Sequence, residues 1–262
     1  MKLHILLFVL ILFSCTVRAQ GNYEIQVYEA ETVKQGCTMA ELHSNFTFGG
    51  QLYKQDGVLP THNMAHETIE ITPGFTPWFE TGFYLFTAIG SDNRTNVVGS
   101  HIRPRVRAPE EWHVPVGLSL SLELGYQNPA YSPDDWTFEI RPIIDKTWKK
   151  LYFSFNPVFD KALHGAEVNQ GFVFSPNLMV KYKMIKTVGI GLEYYGSVGR
   201  LNSLLPYQDQ QHQLFAAIDL DFTEDWEFNA GYGLGFTNAT DNDIFKMILG
   251  YRLGGKKERS EK

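Results

Sequence analysis

Basic side chains recur at every second position of one short segment, His101-Ile102-Arg103-Pro104-Arg105-Val106-Arg107. In an extended strand, side chains two positions apart lie on the same face, about 6.6 Å from each other. A row of bases at that spacing can guide anions, or it can pair with acids on neighbouring strands. Which of the two applies depends on the elements that surround the segment.

Neither catalysis nor a bound metal is predicted from the residue pattern. His62 and His66 are four positions apart, which on a strand separates them by about 13 Å, too far for one metal ion. His212 faces Gly196 and Val198 on the preceding predicted strand, where a hydrolase would need a serine. No nucleophile elbow, phosphate-binding loop or dinucleotide motif occurs. We therefore predict a protein that is not an enzyme and needs no cofactor.

The elements that carry the charged residues are predicted to be strands. From Val114 to Tyr126 every second residue is apolar, and from Gly117 onward the residues between them are small or charged. That length spans roughly 40 Å, enough for a tilted path through a bilayer. Helical periodicity is weak throughout the chain. About twelve strands are predicted, at residues 38–48, 63–71, 78–89, 99–107, 113–126, 135–144, 150–160, 167–183, 187–198, 210–220, 226–236 and 244–253.

The connections between these strands alternate between short and long. Short connections are predicted at 72–77, 108–112, 145–149, 184–186 and 221–225, and longer ones fall between them. This alternation is typical of bacterial membrane barrels, in which the short turns lie on the periplasmic side. Trp78, Trp112, Trp148 and Trp226 lie beside short connections, where an aromatic girdle would meet the lipid headgroups. The pattern therefore predicts an all-β, transmembrane, antiparallel up-and-down β-barrel.

The N-terminus predicts export. Residues 1–19 have a basic start, an apolar run and a small residue at the end, as in a cleaved signal peptide. The alternative is a lipoprotein signal with Cys15 lipidated. Residues 20–36 are expected to lie in the periplasm or to plug the inner mouth, with Ile25 and Val27 docked against apolar residues. The barrel would occupy residues 37–253 and a basic tail residues 254–262.

The energetics of the bilayer assign the charged residues to the lumen. A charge that faces lipid near the midplane costs roughly 2–4 kcal/mol. The mixed sign of the set favours an internal salt-bridge network, and the alternative is an arginine ladder along a path for anionic solutes. By the alternation, the lumenal residues are His101, Arg103, Arg105, Arg107, Arg141, Glu41, His43, His66, Glu70, Glu80, Glu123, Glu139 and Glu193.

Composition and the C-terminus limit the partners. The formal net charge is −6 at pH 7, which argues against nucleic-acid binding, because that requires a basic surface. After signal cleavage Cys37 would be the one remaining thiol, so no internal disulfide is expected. The segment Met247 to Leu253 is similar to the closing strand recognised by barrel-assembly machinery. We expect contacts with outer-membrane lipids, with that machinery during insertion and with a small solute, by a monomeric protein.

The chain resembles the uncharacterised outer-membrane β-barrel proteins of Gram-negative bacteria that are labelled transporters. The resemblance extends over nearly the whole mature chain and implies a pore or a scaffold without an assigned catalytic set. It rests on residues 101–107 and on Glu139-Ile140-Arg141-Pro142-Ile143-Ile144-Asp145, Ser154-Phe155-Asn156-Pro157, Glu193-Tyr194-Tyr195-Gly196-Ser197 and Gln211-His212-Gln213.

The function predicted from the sequence is a passive pore or small-solute transporter in the outer membrane, with a charged lumen. Two alternatives stay open. The first is a non-conducting barrel that binds a ligand or serves as a scaffold. The second is a secreted soluble β-protein with its apolar faces packed together.

Overall fold

The computed structural model describes residues 23–91 and 94–255. The predicted signal peptide, the lipidation alternative at Cys15 and most of the basic tail lie outside the described residues. In the described part, long strands follow one another along the chain. They are β1 (Cys37–Gly49), β2 (Met64–Thr76), β3 (Phe79–Ile89), β4 (Thr95–Arg107), β5 (Gly117–Gln127), β6 (Trp136–Trp148), β7 (Leu151–His164), β8 (Val173–Ile185), β9 (Val188–Ser197), β12 (Gln211–Leu220), β13 (Trp226–Gly235) and β14 (Asn242–Gly254).

Smaller elements lie in two connections. The short strands β10 (Gly199–Arg200) and β11 (Ser203–Leu204) form a hairpin between β9 and β12. Single 3₁₀ turns occur at Glu110–Trp112 and Tyr207–Asp209. Across the described residues, no helix has the length and apolar character needed to cross a membrane.

Hydrogen bonds between successive long strands close the sheet into a barrel. Each long strand pairs antiparallel with its neighbours in sequence, and β1 pairs with β14, with Leu42 opposite Leu249. Closure leaves no free strand edge, whose unpaired backbone N–H and C=O groups could not form hydrogen bonds in lipid. The predicted up-and-down barrel of twelve strands is therefore confirmed. The largest differences are that β8 begins at Val173, later than predicted, and that β2 extends to Thr76, beyond its predicted end.

The two rims of the barrel differ in their connections. Cys37 and Gly254 are opposite each other, and we call the rim that carries them the terminal rim. It also carries the connections at 77–78, 149–150, 186–187 and 221–225. The opposite loop rim carries the connections at 50–63, 128–135, 165–172, 198–210 and 236–241. The predicted alternation holds except at the terminal-rim connection 108–116, which is longer than the loop-rim connections 90–94, 128–135, 165–172 and 236–241.

Apolar side chains point out of the barrel and polar side chains point in. Along β5, Ser121 and Glu123 are buried, whereas Leu120 and Leu124 are 39% and 40% exposed. A soluble protein would have the opposite arrangement, because its apolar faces must leave water. An apolar outer face with a polar interior is the arrangement of a barrel in lipid. The soluble alternative would require these leucines to pack into a core, and they do not.

Residues 23–36, which we call the N-terminal strap, run inside the barrel from its interior to the terminal rim. Gly36 has a positive φ of 75°, which permits the tight turn from the strap into β1. Ile25 and Val27 are buried in a cluster with side chains of the barrel wall, among them Phe215 and Ile244. The strap thus provides part of the core of this protein, and its apolar residues alternate with polar ones.

Candidate functional site

Every sequence-predicted lumenal residue lies on the inner face of the wall. Glu41, His101 and Arg107 are half-buried. The others are buried, namely His43, His66, Glu70, Glu80, Arg103, Arg105, Glu123, Glu139, Arg141 and Glu193. The structure brings most of these residues into two ion-pair clusters that share strand β4. Arg107 lies apart from both, near the terminal rim, where it pairs with Glu110 at 3.2 Å.

The first cluster joins β2, β3 and β4. Arg103 donates to Glu70 at 2.6 Å, and Arg105 pairs with Glu80 at 2.6 Å. A longer contact of 3.7 Å between Arg103 and Glu80 connects the two pairs. The arginines are two apart on β4, so both project inward, where the acids of β2 and β3 neutralise them.

The second cluster joins β4, β5 and β6. His101 Nδ1 lies 2.5 Å from Glu123 Oε1. Arg141 donates to both carboxylate oxygens of Glu139, at 2.6 and 2.9 Å. Glu123 and Glu139 are directly opposite each other in the sheet. Each of these acids therefore has a base of its own, which offsets the repulsion between them.

Tyr28 of the strap lies between the two clusters. Its ring centre is 4.4 Å from the guanidinium carbon of Arg103 and 4.6 Å from that of Arg141. Its main chain is held by β7, because Asn156 Oδ1 accepts from the Tyr28 N–H at 2.7 Å and Ser154 donates to the Tyr28 carbonyl at 2.6 Å. The aromatic face thus covers two buried cations. Sequence reasoning missed Tyr28, since it lies outside any strand.

The wall also binds the backbone of the strap closer to the terminal rim. Arg105 donates to the carbonyls of Glu29 and Glu31, at 3.0 and 2.8 Å. The Ala30 N–H donates to Asp145 at 2.6 Å, and the Val33 N–H donates to Glu80. The strap forms no strand, so its polar backbone groups are satisfied largely by side chains of the wall.

Lys246 is a lumenal residue that the sequence analysis overlooked. It is buried on β14, its ammonium group pairs with Glu193, and it donates to the Ile25 carbonyl at 3.2 Å. Phe245, the preceding residue on β14, is exposed on the outer face, so the period-two alternation places Lys246 inside. The period-two rule was sufficient to find it.

Glu24 is an acid of the strap that the barrel encloses. Burial raises the pKa of its carboxyl to about 8, and the charge of Glu123 acts in the same direction. The Tyr28 hydroxyl donates a hydrogen bond to this carboxyl. Glu24 therefore carries a proton at neutral pH while the strap is docked.

A cavity of about 1110 Å³ lies between the strap and the terminal rim. Lys181 lies between two acids of this cavity, at 3.0 Å from Glu29 and 3.5 Å from Asp219. The cavity exceeds the range of about 300–1,000 Å³ that is usual for small-molecule sites. Its charged lining comprises Arg107, Lys146, Lys149, Lys150, Lys181, Lys183 and Lys246, together with Glu29, Glu31, Glu41, Glu110, Asp145, Glu193, Asp219, Asp221 and Glu227.

Comparison with known proteins identifies the fold. No family model and no curated protein matches the chain. An outer-membrane channel from Pseudomonas putida F1 is similar, with a TM-score of 0.55 and 12% identity over 88% of this chain and 99% of that one. The fold is that of outer-membrane barrels.

Two porins are similar to this chain to a comparable degree. The NanC porin has a TM-score of 0.54 and 9% identity, over 83% of this chain and 100% of that one. The KdgM porin, solved in complex with disordered oligogalacturonate, has a TM-score of 0.51 and 9% identity, over 83% of this chain and 99% of that one. At such identities the likeness concerns the fold alone.

Proposed function

We propose that this chain is a monomeric outer-membrane β-barrel that acts as a passive pore for small charged or zwitterionic solutes, and that the N-terminal strap closes the pore. The observation that carries this proposal is a closed barrel whose lumen is filled by a segment that is not part of the sheet. The apolar outer face supports a location in lipid. Its insertion would depend on barrel-assembly machinery.

The way the strap is held supports a reversible closure. Its contacts with the wall inside the lumen are ion pairs, side-chain hydrogen bonds and small apolar clusters, such as the one formed by Tyr28, Ala30 and Ile143. Removal of the strap would leave every strand-to-strand ladder intact, because the wall closes through β1 and β14. The barrel can therefore stay folded while the strap leaves the lumen.

The cavity at the terminal rim supports the proposed class of solute. Bases and acids line it together, and Lys181 lies between Glu29 and Asp219. A cavity lined by both positive and negative side chains suits a small charged solute, because the solute can form ion pairs with these side chains in place of their own ion pairs as it passes. Arg103 and Arg141 are 2% and 0% exposed, so they would contribute to conduction after the strap has moved.

A planar-bilayer recording tests the proposal. The full chain is compared with a variant that lacks residues 23–33 of the strap and with a control that carries Lys34→Ala and Gln35→Ala, two exposed positions. We expect rare conductance steps from the full chain and the control, and frequent steps from the deletion. A deletion variant that is folded and inserted but shows no conductance would contradict the proposed pore.

The second candidate function is a non-conducting scaffold. It is favoured by the complete burial of the Arg103–Glu70 pair, which suits a filled barrel that keeps its shape. In that case the deletion would lower the unfolding temperature without producing conductance.

A further inference from the structure

Two acids on neighbouring strands face each other in the lumen. Glu41 of β1 and Glu70 of β2 are directly opposite in the antiparallel register. Directly opposed like charges destabilise a sheet unless a counter-charge lies between them or beside them. Arg103 neutralises Glu70 through Oε1 at 2.6 Å. Among the described residues, no base lies within ion-pair distance of Glu41.

Another pair of opposed acids makes this imbalance clear. Glu123 and Glu139 are also directly opposite, but His101 serves the first and Arg141 serves the second. The pair of Glu41 and Glu70 is one positive charge short of that arrangement.

His43 completes a set of ligand atoms at this position. It lies two residues from Glu41 on the same face of β1, and its ring is 0% exposed. Neither ring nitrogen has a hydrogen-bond partner in the described part of the chain, although Nε2 is in ion-pair contact with Glu70 Oε2 at 3.3 Å. That carboxylate oxygen has no hydrogen-bond partner either. One oxygen of Glu41, one oxygen of Glu70 and one ring nitrogen of His43 all lie within 4.8 Å of one another.

These distances suit a tetrahedral metal ion. Zinc binds imidazole nitrogen at about 2.0–2.1 Å and carboxylate oxygen at about 2.0–2.2 Å. Two ligands at such lengths are about 3.3–3.4 Å apart along one edge of a tetrahedron, as His43 Nε2 and Glu70 Oε2 are. A carboxylate oxygen of Glu41 would provide the third ligand.

We propose that Glu41, His43 and Glu70 form a binding site for a divalent cation of the zinc class, with a water molecule as the fourth ligand. An imidazole nitrogen among the ligands favours zinc or cobalt over magnesium and calcium, which prefer oxygen alone. Glu41 also lines the cavity at the terminal rim, which provides the route of entry. The bound ion supplies the missing positive charge and links β1 to β2. No metal is predicted from the sequence, because only the register between β1 and β2 brings Glu70 to the other two residues.

The test uses the full, tag-free chain, purified in detergent and freed of metal with a chelator. Zinc chloride is added, excess ion is removed, and bound zinc is measured by mass spectrometry. We expect one equivalent per chain. Cobalt chloride should give the visible absorption of a tetrahedral ion, and magnesium chloride should not compete.

Matched variants separate this site from adventitious binding. His43→Gln should weaken zinc binding by about 100-fold or more, since loss of even an outer partner of a ligand costs 10–100-fold. His66→Gln is the control, because His66 is equally buried in the lumen on β2 but has no carboxylate set around it. If His43→Gln fails to fold, Glu41→Gln at the cavity carries the same test. Absence of stoichiometric zinc, or equal binding by the ligand variants and the control, would overturn the site.

Discussion

The guanidinium carbon of Arg103 lies 4.4 Å from the ring centre of Tyr28. This contact joins the barrel wall to the strap, and Arg141 forms a second contact with the same ring at 4.6 Å. The arginines that the sequence places in the lumen thus hold a segment of the same chain. In the proposed pore, they must release it before a solute can pass.

Substitution of Tyr28 should favour the open state. Tyr28→Ala removes a ring from two desolvated cations, and one such contact is worth about 2 kcal/mol, or roughly 30-fold in the ratio of closed to open pores. Single-channel recording measures that ratio directly. Tyr232→Ala, which removes an exposed tyrosine of the outer face, is the control and should leave it unchanged. An unchanged ratio in Tyr28→Ala would show that this contact does not hold the strap.

Closure should weaken as the pH rises. The docked strap keeps a proton on Glu24 up to about pH 8, whereas a released strap loses it above its ordinary pKa of 4.5. Between pH 4.5 and pH 8 the closed state binds more protons than the open state. As the pH rises through this range, the stability of the closed state falls by up to about 1.36 kcal/mol per pH unit, and it is lowest above pH 8. Conductance should therefore increase from pH 5 to pH 8. Glu24→Gln should remove this dependence, and a variant that retains it would assign the effect to another group.

The Arg103–Glu70 pair should be strongly coupled in the stability of the barrel. Arg103→Met leaves a buried carboxylate without its partner, which should cost about 3–5 kcal/mol. Arg103→Met combined with Glu70→Gln should recover part of that loss, because the uncompensated charge is removed. Urea unfolding in lipid vesicles, followed by tryptophan fluorescence, measures both variants. Additive losses in the double variant would contradict a direct pair.

A charged residue on the outer face should destabilise the barrel most at the middle of the bilayer. Leu122→Arg, at the middle of β5, should destabilise the inserted barrel by about 2–4 kcal/mol, while Trp148→Arg at the terminal rim should cost about 0–1 kcal/mol. The same vesicle unfolding experiment compares them. Equal losses at the two positions would argue that the outer face is not embedded in lipid.

Much of the wall could be predicted from the sequence, because a strand repeats every two residues. Leu120 is apolar and exposed on the outer face, whereas Ser121 is polar and buried on the inner face. The same alternation places Lys246 on the inner face. The residues on the inner face follow from this alternation without knowledge of any partner strand.

The strap and its contacts could not be predicted in the same way. Residues 23–36 have no regular element, so their path depends on tertiary contacts such as the two arginines around Tyr28. The opposition of Glu41 and Glu70 depends on register, and a slip of one residue would turn one of the two side chains outward. Periodicity identifies the face of a residue and leaves its cross-strand partner open.

A reversible tether tests the closure of the pore by the strap most directly. Ala30 and Ile143 pack in one buried cluster, so Ala30→Cys with Ile143→Cys, in a Cys37→Ser background, can join the strap to the wall through a disulfide. Either cysteine variant alone is the control. We predict that the oxidised double variant is silent in a planar bilayer and that a thiol reductant restores the conductance of the Cys37→Ser protein. Conductance that persists with the disulfide formed would contradict closure by the strap.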